Sequence, residues 1–278
     1  MAAINDSFQG RLALITGGSS GLGLALANLL AAQGANVWLI ARRKDVLENA
    51  YKGLPAASGQ HHGRISADVS DWGQVQAAVA NVTAEAGLPD LLINCAGLAH
   101  PGYVQELPVE VFHAMMDLDY FGTVNMVKAL LPGMLERGSG HIVNISSGAG
   151  FLAPFGYSAY SPAKYAVRGF SDVLRLELKP LGIRLSVAFP PDMDTPGMAN
   201  ENKTKPFETT DAFSSKLLSP EPVAKAILNG IKRGRYIILP GLEIMMYYYL
   251  TFILGNAIYP LMDGILAGAR RKKINLNK

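Results

Sequence analysis

The sequence predicts an α/β fold in which helices cover both faces of a parallel sheet. Short apolar runs alternate with longer segments of helical periodicity along most of the 278 residues, which is typical of that architecture. A glycine-rich turn follows the first apolar run, and the 49% hydrophobic composition is enough for a large core. Right-handed crossovers between the strands then give a doubly wound sheet.

The elements follow one another in a regular order. Each predicted helix is bounded by glycine, proline or a capping residue, and each predicted strand is short and apolar. The predicted strands are residues 12–16, 37–41, 65–69, 91–94, 141–146, 183–189 and 236–239. The predicted helices are residues 22–33, 71–86, 109–135, 159–179 and 220–232.

Residues 190–219 interrupt this order with a stretch rich in proline, asparagine, lysine and threonine. The stretch is too long for an ordinary connection and is typical of a lid or binding loop. We therefore expect one domain over residues 1–240, with residues 190–219 as its lid, and an apolar C-terminal segment over residues 241–278.

The composition excludes several classes of protein. The net charge of +3 is small and most basic residues are scattered, so we expect no nucleic-acid-binding surface. The single cysteine, Cys95, cannot form an intrachain disulfide or a cysteine-rich metal site, and we predict no metal. Residues 1–10 are mixed and polar, unlike a signal peptide, so we expect the body of the protein in the cytosol.

The turn after the first strand, with the sequence TGGSSGLG from Thr16, opens a helix. Glycines there permit a tight turn and let backbone N–H groups approach a pyrophosphate at the helix N-terminus. This strand, turn and helix predict a Rossmann-type sheet that binds a nicotinamide dinucleotide. The predicted cofactor contacts in the turn are Gly17, Ser19, Ser20, Gly21, Leu22 and Gly23.

The end of the second strand predicts which nicotinamide cofactor binds. An acidic residue there would accept a hydrogen bond from a ribose 2′-OH and repel a 2′-phosphate, but this chain has Arg42 and Arg43. Arg42 is suited to a phosphate, which favours NADP(H). Arg43 either contacts the same phosphate or lies at a solvated helix start. Asp68 either meets the adenine or caps a turn.

Three polar residues near the predicted carboxyl edge of the sheet suit carbonyl reduction. Ser147 precedes Tyr160 by thirteen positions, and Lys164 follows Tyr160 by four, which places both side chains on one helix face. A nearby ammonium lowers the pKa of a phenol from its ordinary value of about 10. A tyrosine and a lysine at this spacing also occur on ordinary amphipathic helices, so other motifs must decide.

The chain resembles the short-chain dehydrogenase/reductase family over roughly residues 10–239. The resemblance is carried by the glycine-rich turn, the NCAG run from Asn94, the set of Ser147, Tyr160 and Lys164, and the PPDMDT run from Pro190. The resemblance implies that Tyr160 donates a proton to the carbonyl oxygen and that Ser147 hydrogen-bonds this oxygen. It also implies that Lys164 binds the nicotinamide ribose and lowers the pKa of Tyr160.

The resemblance implies further roles around this set. Asn94 would steady the central strands, Gly97 would leave room beside the adenine ribose, and Thr195 would hold the nicotinamide carboxamide. Ser146, fourteen positions before Tyr160, is interpreted as structural. Because members of the family commonly assemble through the helices that hold the tyrosine and lysine, the resemblance implies a homodimer or homotetramer.

Asp119 departs from the family pattern, which has an asparagine at this catalytic position to anchor a water leading to the lysine. An aspartate could accept from the same water or from Lys164. Its negative charge would then offset part of the effect of Lys164 and raise the pKa of Tyr160. The alternative is a helix aspartate that faces solvent.

The lid run and the AYSPAKYAVRGF run from Ala159 resemble the 3-ketodihydrosphingosine reductases of this family. That resemblance implies NADPH-dependent reduction of 3-ketosphinganine, a long-chain keto-amine lipid, to sphinganine. The alternatives are a reductase of another hydrophobic ketone or alcohol, such as a steroid, retinoid or long-chain acyl ketone, and a cofactor-binding scaffold at membranes that has lost turnover.

Carboxylates and apolar side chains of the lid are candidates for binding such a lipid, although either kind can simply be solvated or pack the lid. Candidates for the 2-ammonium are Asp192, Asp194 and Glu201. Candidates for the alkyl tail are Phe151, Phe155, Met193, Met198 and Phe207.

The C-terminal segment also suits a lipid substrate. Residues 244–262 are nineteen residues without a charge, about 28 Å long as a helix. Basic residues 270–273 follow and are expected near anionic lipid on the cytoplasmic face. We expect interfacial or re-entrant membrane association, with a spanning helix and a buried oligomer-contact helix as alternatives.

Overall fold

A computed structural model describes residues 7–212 and 217–276, with side chains as far as residue 272. A seven-stranded sheet lies at its centre, and every strand pair is parallel. The strands are β1 (Leu12–Thr16), β2 (Asn36–Ala41), β3 (Gly63–Ser66), β4 (Leu91–Asn94), β5 (Gly140–Ile145), β6 (Ile183–Ala188) and β7 (Ile237–Ile238). Their spatial order, β3-β2-β1-β4-β5-β6-β7, confirms the predicted doubly wound sheet.

Helices cover both faces of this sheet. The first helices are α1 (Gly21–Ala32), α2 (Lys44–Lys52), α3 (Trp72–Ala86), α4 (Val109–Met115), α5 (Gly122–Arg137) and α6 (Tyr160–Leu178). The later ones are α7 (Pro196–Glu201), α8 (Phe207–Ala212), α9 (Pro220–Lys232), α10 (Leu242–Leu254) and α11 (Ile258–Leu276). One apolar cluster joins α1, α2 and α9 to the sheet, and a second joins α3, α5 and α6 to its other face.

The side chains of β1 point alternately into the two apolar clusters, one on each face of the sheet. Ala13 and Ile15 belong to the first cluster, whereas Leu12 and Leu14 belong to the second. Successive strand side chains point to opposite faces, so a strand buried on both sides must be apolar throughout. All five residues of β1 are buried, which is why a continuous apolar run predicted it.

Outside the lid and the C-terminal segment, the structure differs from the prediction by more than two residues at three places. Strand β3 ends at Ser66 rather than residue 69, because the carboxylate of Asp68 accepts hydrogen bonds from the backbone N–H and the hydroxyl of Ser70 and turns the chain. Helix α2 was not predicted, although its start at Lys44 matches the solvated helix start considered for Arg43. The predicted helix 109–135 contains a π-helical stretch, Met116–Phe121, between α4 and α5.

The lid contains more regular structure than its composition predicts. Helices α7 and α8 lie within it, and the Thr195 hydroxyl caps α7 by accepting from the N–H of Met198 at 3.2 Å. Residues 213–216 of the predicted lid lie outside the described residues.

The C-terminal helices form an apolar layer beside the lid. Gly255, with a φ of +49°, begins a short turn that separates α10 from α11, so residues 244–262 are not one straight helix. Leu242 and Ile253 are each 80% exposed, whereas Ile244 and Tyr248 pack against Phe189 of the core. The helical stretch Leu242–Lys272 is long and apolar enough to cross a membrane, judged by length and composition alone.

The basic end of α11 contacts the lid. Arg270 lies 3.4 Å from Glu208, and Lys272 lies 3.2 Å from Asp211, both carboxylates being in α8. These side chains were expected near anionic lipid. In the structure they pair with α8 because the turn after α10 brings α11 back along the lid.

Candidate active site

A cleft of about 310 Å³ runs along the carboxyl ends of the strands, from the glycine-rich turn to Tyr160. Crevices at this edge of a doubly wound sheet are where ligands bind, because the loops that leave the strands diverge there. The predicted cofactor residues that line the cleft are Gly17, Ser19, Ser20, Gly21, Leu22, Gly23, Arg42, Arg43, Gly97, Tyr160, Lys164 and Thr195.

The glycine-rich turn is shaped for a ligand phosphate. Gly17 has a φ of +67°, and a Cβ added there would lie 2.8 Å from the Cα of Ala96. A Cβ on Gly23 would lie 2.3 Å from the carbonyl oxygen of Gly17. Ser20, at the start of α1, makes no side-chain capping hydrogen bond, so the first-turn N–H groups remain available to an anion. The turn therefore fits a dinucleotide pyrophosphate.

Arg42 borders the phosphate end of the cleft. Its guanidinium lies 3.4 Å from the carboxylate of Asp68, and its side chain is 56% exposed. Burial alone would raise the pKa of Asp68, but hydrogen bonds from Ser70 and the charge of Arg42 lower it. Asp68 thus caps a turn and orients Arg42, and it is not part of the cleft lining. Its prediction as an adenine contact remains a prediction.

Tyr160 and Lys164 lie at the other end of the cleft. Helix α6 begins at Tyr160, so Lys164 follows one turn later, and its ammonium lies 5.4 Å from the centroid of the Tyr160 ring. Ser147 lies two residues after the end of β5 and contributes a hydrogen bond that lowers the pKa of Tyr160. The Ser147 hydroxyl also accepts from the N–H of Ala149 at 3.2 Å. The structure therefore brings together the three residues that the spacing singled out.

Asp119 forms a buried ion pair with Lys164. The side chain of Asp119 is fully buried, and its Oδ1 lies 2.9 Å from the Lys164 ammonium and accepts from the N–H of Leu98 at 3.3 Å. Oδ2 makes no hydrogen bond within the described residues. The alternative of a solvent-facing helix aspartate is wrong, because the π-helical stretch turns this side chain inward.

Gly97 makes room for this ion pair. A Cβ at Gly97 would lie 2.4 Å from Oδ1 of Asp119 and 3.1 Å from the Lys164 ammonium. The resemblance assigned Gly97 to the space beside the adenine ribose. In the structure its missing side chain is also required by Asp119 and Lys164.

The electrostatics favour a protonated tyrosine and a charged lysine at neutral pH. Burial raises the pKa of Tyr160 to about 12; Lys164 lowers this pKa, and Asp119 and Glu201 raise it. Burial alone would lower the pKa of Lys164, but Asp119 raises it above its ordinary value. Burial raises the pKa of Asp119, against the attraction of Lys164. Tyr160 is therefore in the form that can donate a proton.

Asn94 and Ser146 have structural contacts. Asn94 donates to Asn144 at 2.9 Å, and Asn144 donates to Ser171 of α6 at 2.9 Å, which ties β4 and β5 to the helix that carries Tyr160. The hydroxyl of Ser146 donates to the carbonyl oxygen of Lys164 at 2.9 Å. Both sets of contacts hold α6 in place against the sheet.

The predicted substrate contacts do not all meet in one place. Met193 lines the cleft, whereas Asp192 and Met198 are outside its lining, and Met198 is buried within the lid. Phe155 lines a second groove, of about 580 Å³, between the loop before α6 and helices α10 and α11. These substrate assignments stay predictions.

Glu201 and Tyr157 form a contact that the sequence did not predict. Glu201, at the end of α7, lines the cleft beside Tyr160. Its Oε2 accepts a hydrogen bond from the hydroxyl of Tyr157 at 3.1 Å. Glu201 is one of several lid carboxylates, and 44 positions separate it from Tyr157, so no local spacing could have paired them.

Comparisons with known proteins agree with this arrangement. Residues 11–206 match the family model described as short chain dehydrogenase. The 3-ketodihydrosphingosine reductase of Mus musculus is 41% identical over 235 residues, which are 83% of this chain and 71% of that one. The reductase of the same name from Dictyostelium discoideum is 41% identical over 246 residues, 82% of this chain and 74% of that one.

A solved structure has the same fold. The short-chain dehydrogenase from Sphingobium yanoikuyae in complex with NADPH is 28% identical, with a TM-score of 0.76 over 91% of this chain and 95% of that chain. The family match covers most of the chain, and the sheet order and the cleft geometry agree with it. The chain belongs to the short-chain dehydrogenase/reductase family.

Proposed function

We propose that this protein reduces 3-ketosphinganine to sphinganine with NADPH. The observation that carries the proposal is the arrangement of Tyr160 and Lys164 at one end of a cleft, with Ser147 hydrogen-bonded to Tyr160 and a glycine-rich turn suited to an anion at the other end. The names of the mouse and Dictyostelium relatives support the substrate. Arg42 beside the cleft and the NADPH-bound relative support the cofactor.

The geometry supports a direct mechanism. Bound NADPH supplies the hydride that adds to C3 of the ketone. Tyr160 donates its phenol proton to the carbonyl oxygen, so the product is a secondary alcohol and Tyr160 becomes a phenolate beside the Lys164 ammonium. The Ser147 hydroxyl accepts from the N–H of Ala149 and hydrogen-bonds Tyr160; when the ketone binds, its hydrogen would hold the carbonyl oxygen instead.

Asp119 acts in this proposal as a positioning residue. It accepts a hydrogen bond from Lys164, which also donates to the carbonyl oxygen of Ile145 at 3.3 Å. These two contacts fix the ammonium next to the Tyr160 ring. The charge of Asp119 also raises the pKa of Tyr160, so the phenol stays protonated further into the alkaline range.

The exposed apolar surface supports an interfacial location. We propose that residues 241–278 form a segment distinct from the domain of residues 1–240 and associate with the cytoplasmic face of a membrane. Leu242, Phe252 and Ile253 are each more than 60% exposed on α10, and an apolar helix face of this kind is stabilised by lipid. Exposed Val173 and Leu176 on α6 support assembly into a homodimer or homotetramer through that helix.

An assay of cofactor oxidation tests the proposed function. Purified protein in detergent or lipid is given NADPH and 3-ketosphinganine, and the loss of NADPH absorbance is followed. We expect turnover with this ketone above that with steroid, retinoid or simple long-chain ketones, and with NADPH above NADH. Preference for one of the other ketones would overturn the substrate, and cofactor binding without any turnover would support a scaffold.

A further inference from the structure

Glu201 is a half-buried carboxylate at the catalytic end of the cleft. It lines the same cleft as Tyr160 and Lys164, although it belongs to the lid. The Tyr157 hydroxyl, which is itself buried, donates to Glu201 at 3.1 Å, and the Tyr157 ring lies 6.0 Å from the Tyr160 ring. Tyr157 therefore links this carboxylate to the proton donor.

The charge of Glu201 reaches the reaction centre. Among residues 7–212 and 217–272, no lysine or arginine forms a salt bridge with Glu201. Burial raises the pKa of Glu201; Tyr157 and Lys205 lower this pKa, and Asp192 and Asp119 raise it. Glu201 in turn raises the pKa of Tyr160. A cation next to the substrate carbonyl would lower the pKa of Glu201 and offset the effect of Glu201 on the pKa of Tyr160.

The proposed substrate carries such a cation, since its ammonium is on C2 and its carbonyl on C3. We propose that Glu201 binds the 2-ammonium of the ketone and that Tyr157 positions Glu201 for this contact. The inference rests on the proposed function, which supplies the amino ketone. It selects Glu201 from the three lid carboxylates that the sequence offered as candidates for the ammonium, because Asp192 and Asp194 are not among the residues that line the cleft.

This contact would couple recognition to proton transfer. When the ammonium neutralises Glu201, one of the two carboxylates that raise the pKa of Tyr160 loses its effect. Tyr160 becomes a stronger acid when an amino ketone is bound than when a neutral ketone is bound. The same carboxylate would be left without a cationic partner by a ketone that lacks the amine, so it also discriminates against neutral ketones.

The test compares two ketones that differ only in the amine. Wild type and Glu201→Gln are assayed with 3-ketosphinganine and with the matched 1-hydroxy-3-ketone without the 2-amino group. Losing a charge-assisted hydrogen bond should lower kcat/KM for the amino ketone on the order of 30-fold, mainly through KM. The value for the neutral ketone should stay constant or rise. Glu85→Gln, an exposed glutamate of α3 far from the cleft, is the matched control and should change neither.

Tyr157→Phe separates positioning from folding. It removes only the hydroxyl that holds Glu201, so KM for the amino ketone should rise by several-fold while the neutral ketone is unaffected. This variant keeps the test decisive if Glu201→Gln does not fold, as checked by circular dichroism and NADPH binding. An equal loss with both ketones, or no loss with either, would overturn the role of Glu201.

The outcomes also separate this inference from the proposed function. If wild type reduces 3-ketosphinganine and Glu201→Gln keeps the wild-type preference for the amine, only the Glu201 assignment fails. If wild type reduces the neutral ketone and not 3-ketosphinganine, the proposed substrate fails and the Glu201 assignment fails with it.

Discussion

The cleft and the lid are held by different kinds of contact. At the cofactor end of the cleft, the buried Thr16 hydroxyl accepts from the N–H groups of Cys95 and Ala96 at 3.1 Å, and glycine backbones approach one another without intervening side chains. In the lid, α8 is joined to α11 by ion pairs whose Arg270 and Lys272 side chains are 57% and 67% exposed. Exposed pairs of this kind contribute little stability and weaken with salt.

The cleft and the lid contain residues with different expected roles. Tyr160 and Lys164 sit on α6, which packs against a sheet whose core side chains are almost fully buried. Residues expected to choose the ketone sit on a lid supported by the C-terminal helices. The exposed contacts between α8 and α11 can therefore change without disturbing the sheet, although Glu201 of the same lid acts on Tyr160, whereas Gly17 and Gly23 at the cofactor end have no room for a Cβ.

The largest expected effect of a substitution is in the cleft. Gly97→Ala places a methyl group 2.4 Å from Asp119 and 3.1 Å from Lys164, both of which are buried. We expect about 1–3 kcal/mol of lost unfolding free energy, as for other overpacked cores, together with a strong loss of turnover because the ammonium is displaced. Urea denaturation and the reductase assay measure both.

Gly169→Ala is the matched control, because a Cβ there meets nothing within 4 Å on the surface of α6. It should be neutral or stabilise by about 0.5–1 kcal/mol. If the two alanines have the same effect, the cofactor end is less tightly packed than the structure indicates.

Arg42→Ala should give the next largest effect and act on the cofactor alone. Removing a charge-assisted contact to a 2′-phosphate should raise KM for NADPH about tenfold, while KM for NADH changes little. Kinetics with both cofactors measure this difference. An equal change for NADPH and NADH would mean that Arg42 does not read the 2′-phosphate.

Asp119→Asn should change the pH dependence of turnover more than it changes the maximal rate of turnover. The charge of Asp119 raises the pKa of Tyr160, so removing it lowers that pKa. Tyr160 must be protonated to donate, hence activity falls as pH rises through its pKa. The alkaline limb of kcat/KM should therefore move to lower pH in the variant, and an unchanged profile would refute the coupling.

The smallest expected effect is at the lid. A double-mutant cycle with Arg270→Gln and Glu208→Gln should give a coupling energy of about 0–1 kcal/mol, and added salt should reduce it. Urea unfolding at two salt concentrations measures the coupling. A much larger, salt-independent value would show that the lid is held as firmly as the cofactor end.

The same division explains what the sequence could predict. Strand β1 and the glycine-rich turn were predictable because continuous burial and positive φ restrict the residue types locally. The reach of Tyr160 to Lys164 was predictable because one helical turn joins them.

What could not be predicted depends on contacts between distant segments. The family resemblance offered Lys164 as one possible partner of Asp119, but no local pattern indicates the π-helical stretch that contains Asp119 or its complete burial beside Lys164. Arg270 meets Glu208, 62 positions earlier, because α11, which follows the turn at Gly255, packs against α8 of the lid. Burial of Tyr157 beside Glu201 likewise depends on how the lid folds over α6.

Reduction of 3-ketosphinganine by wild type and Tyr160→Phe, with NADPH binding measured in parallel, decides whether Tyr160 is the proton donor. We expect NADPH oxidation by wild type and, in the variant, a loss on the order of 10²–10⁴-fold with cofactor binding retained, because the phenol proton donor is gone. Turnover of the ketone by the variant at the wild-type rate would contradict this role of Tyr160.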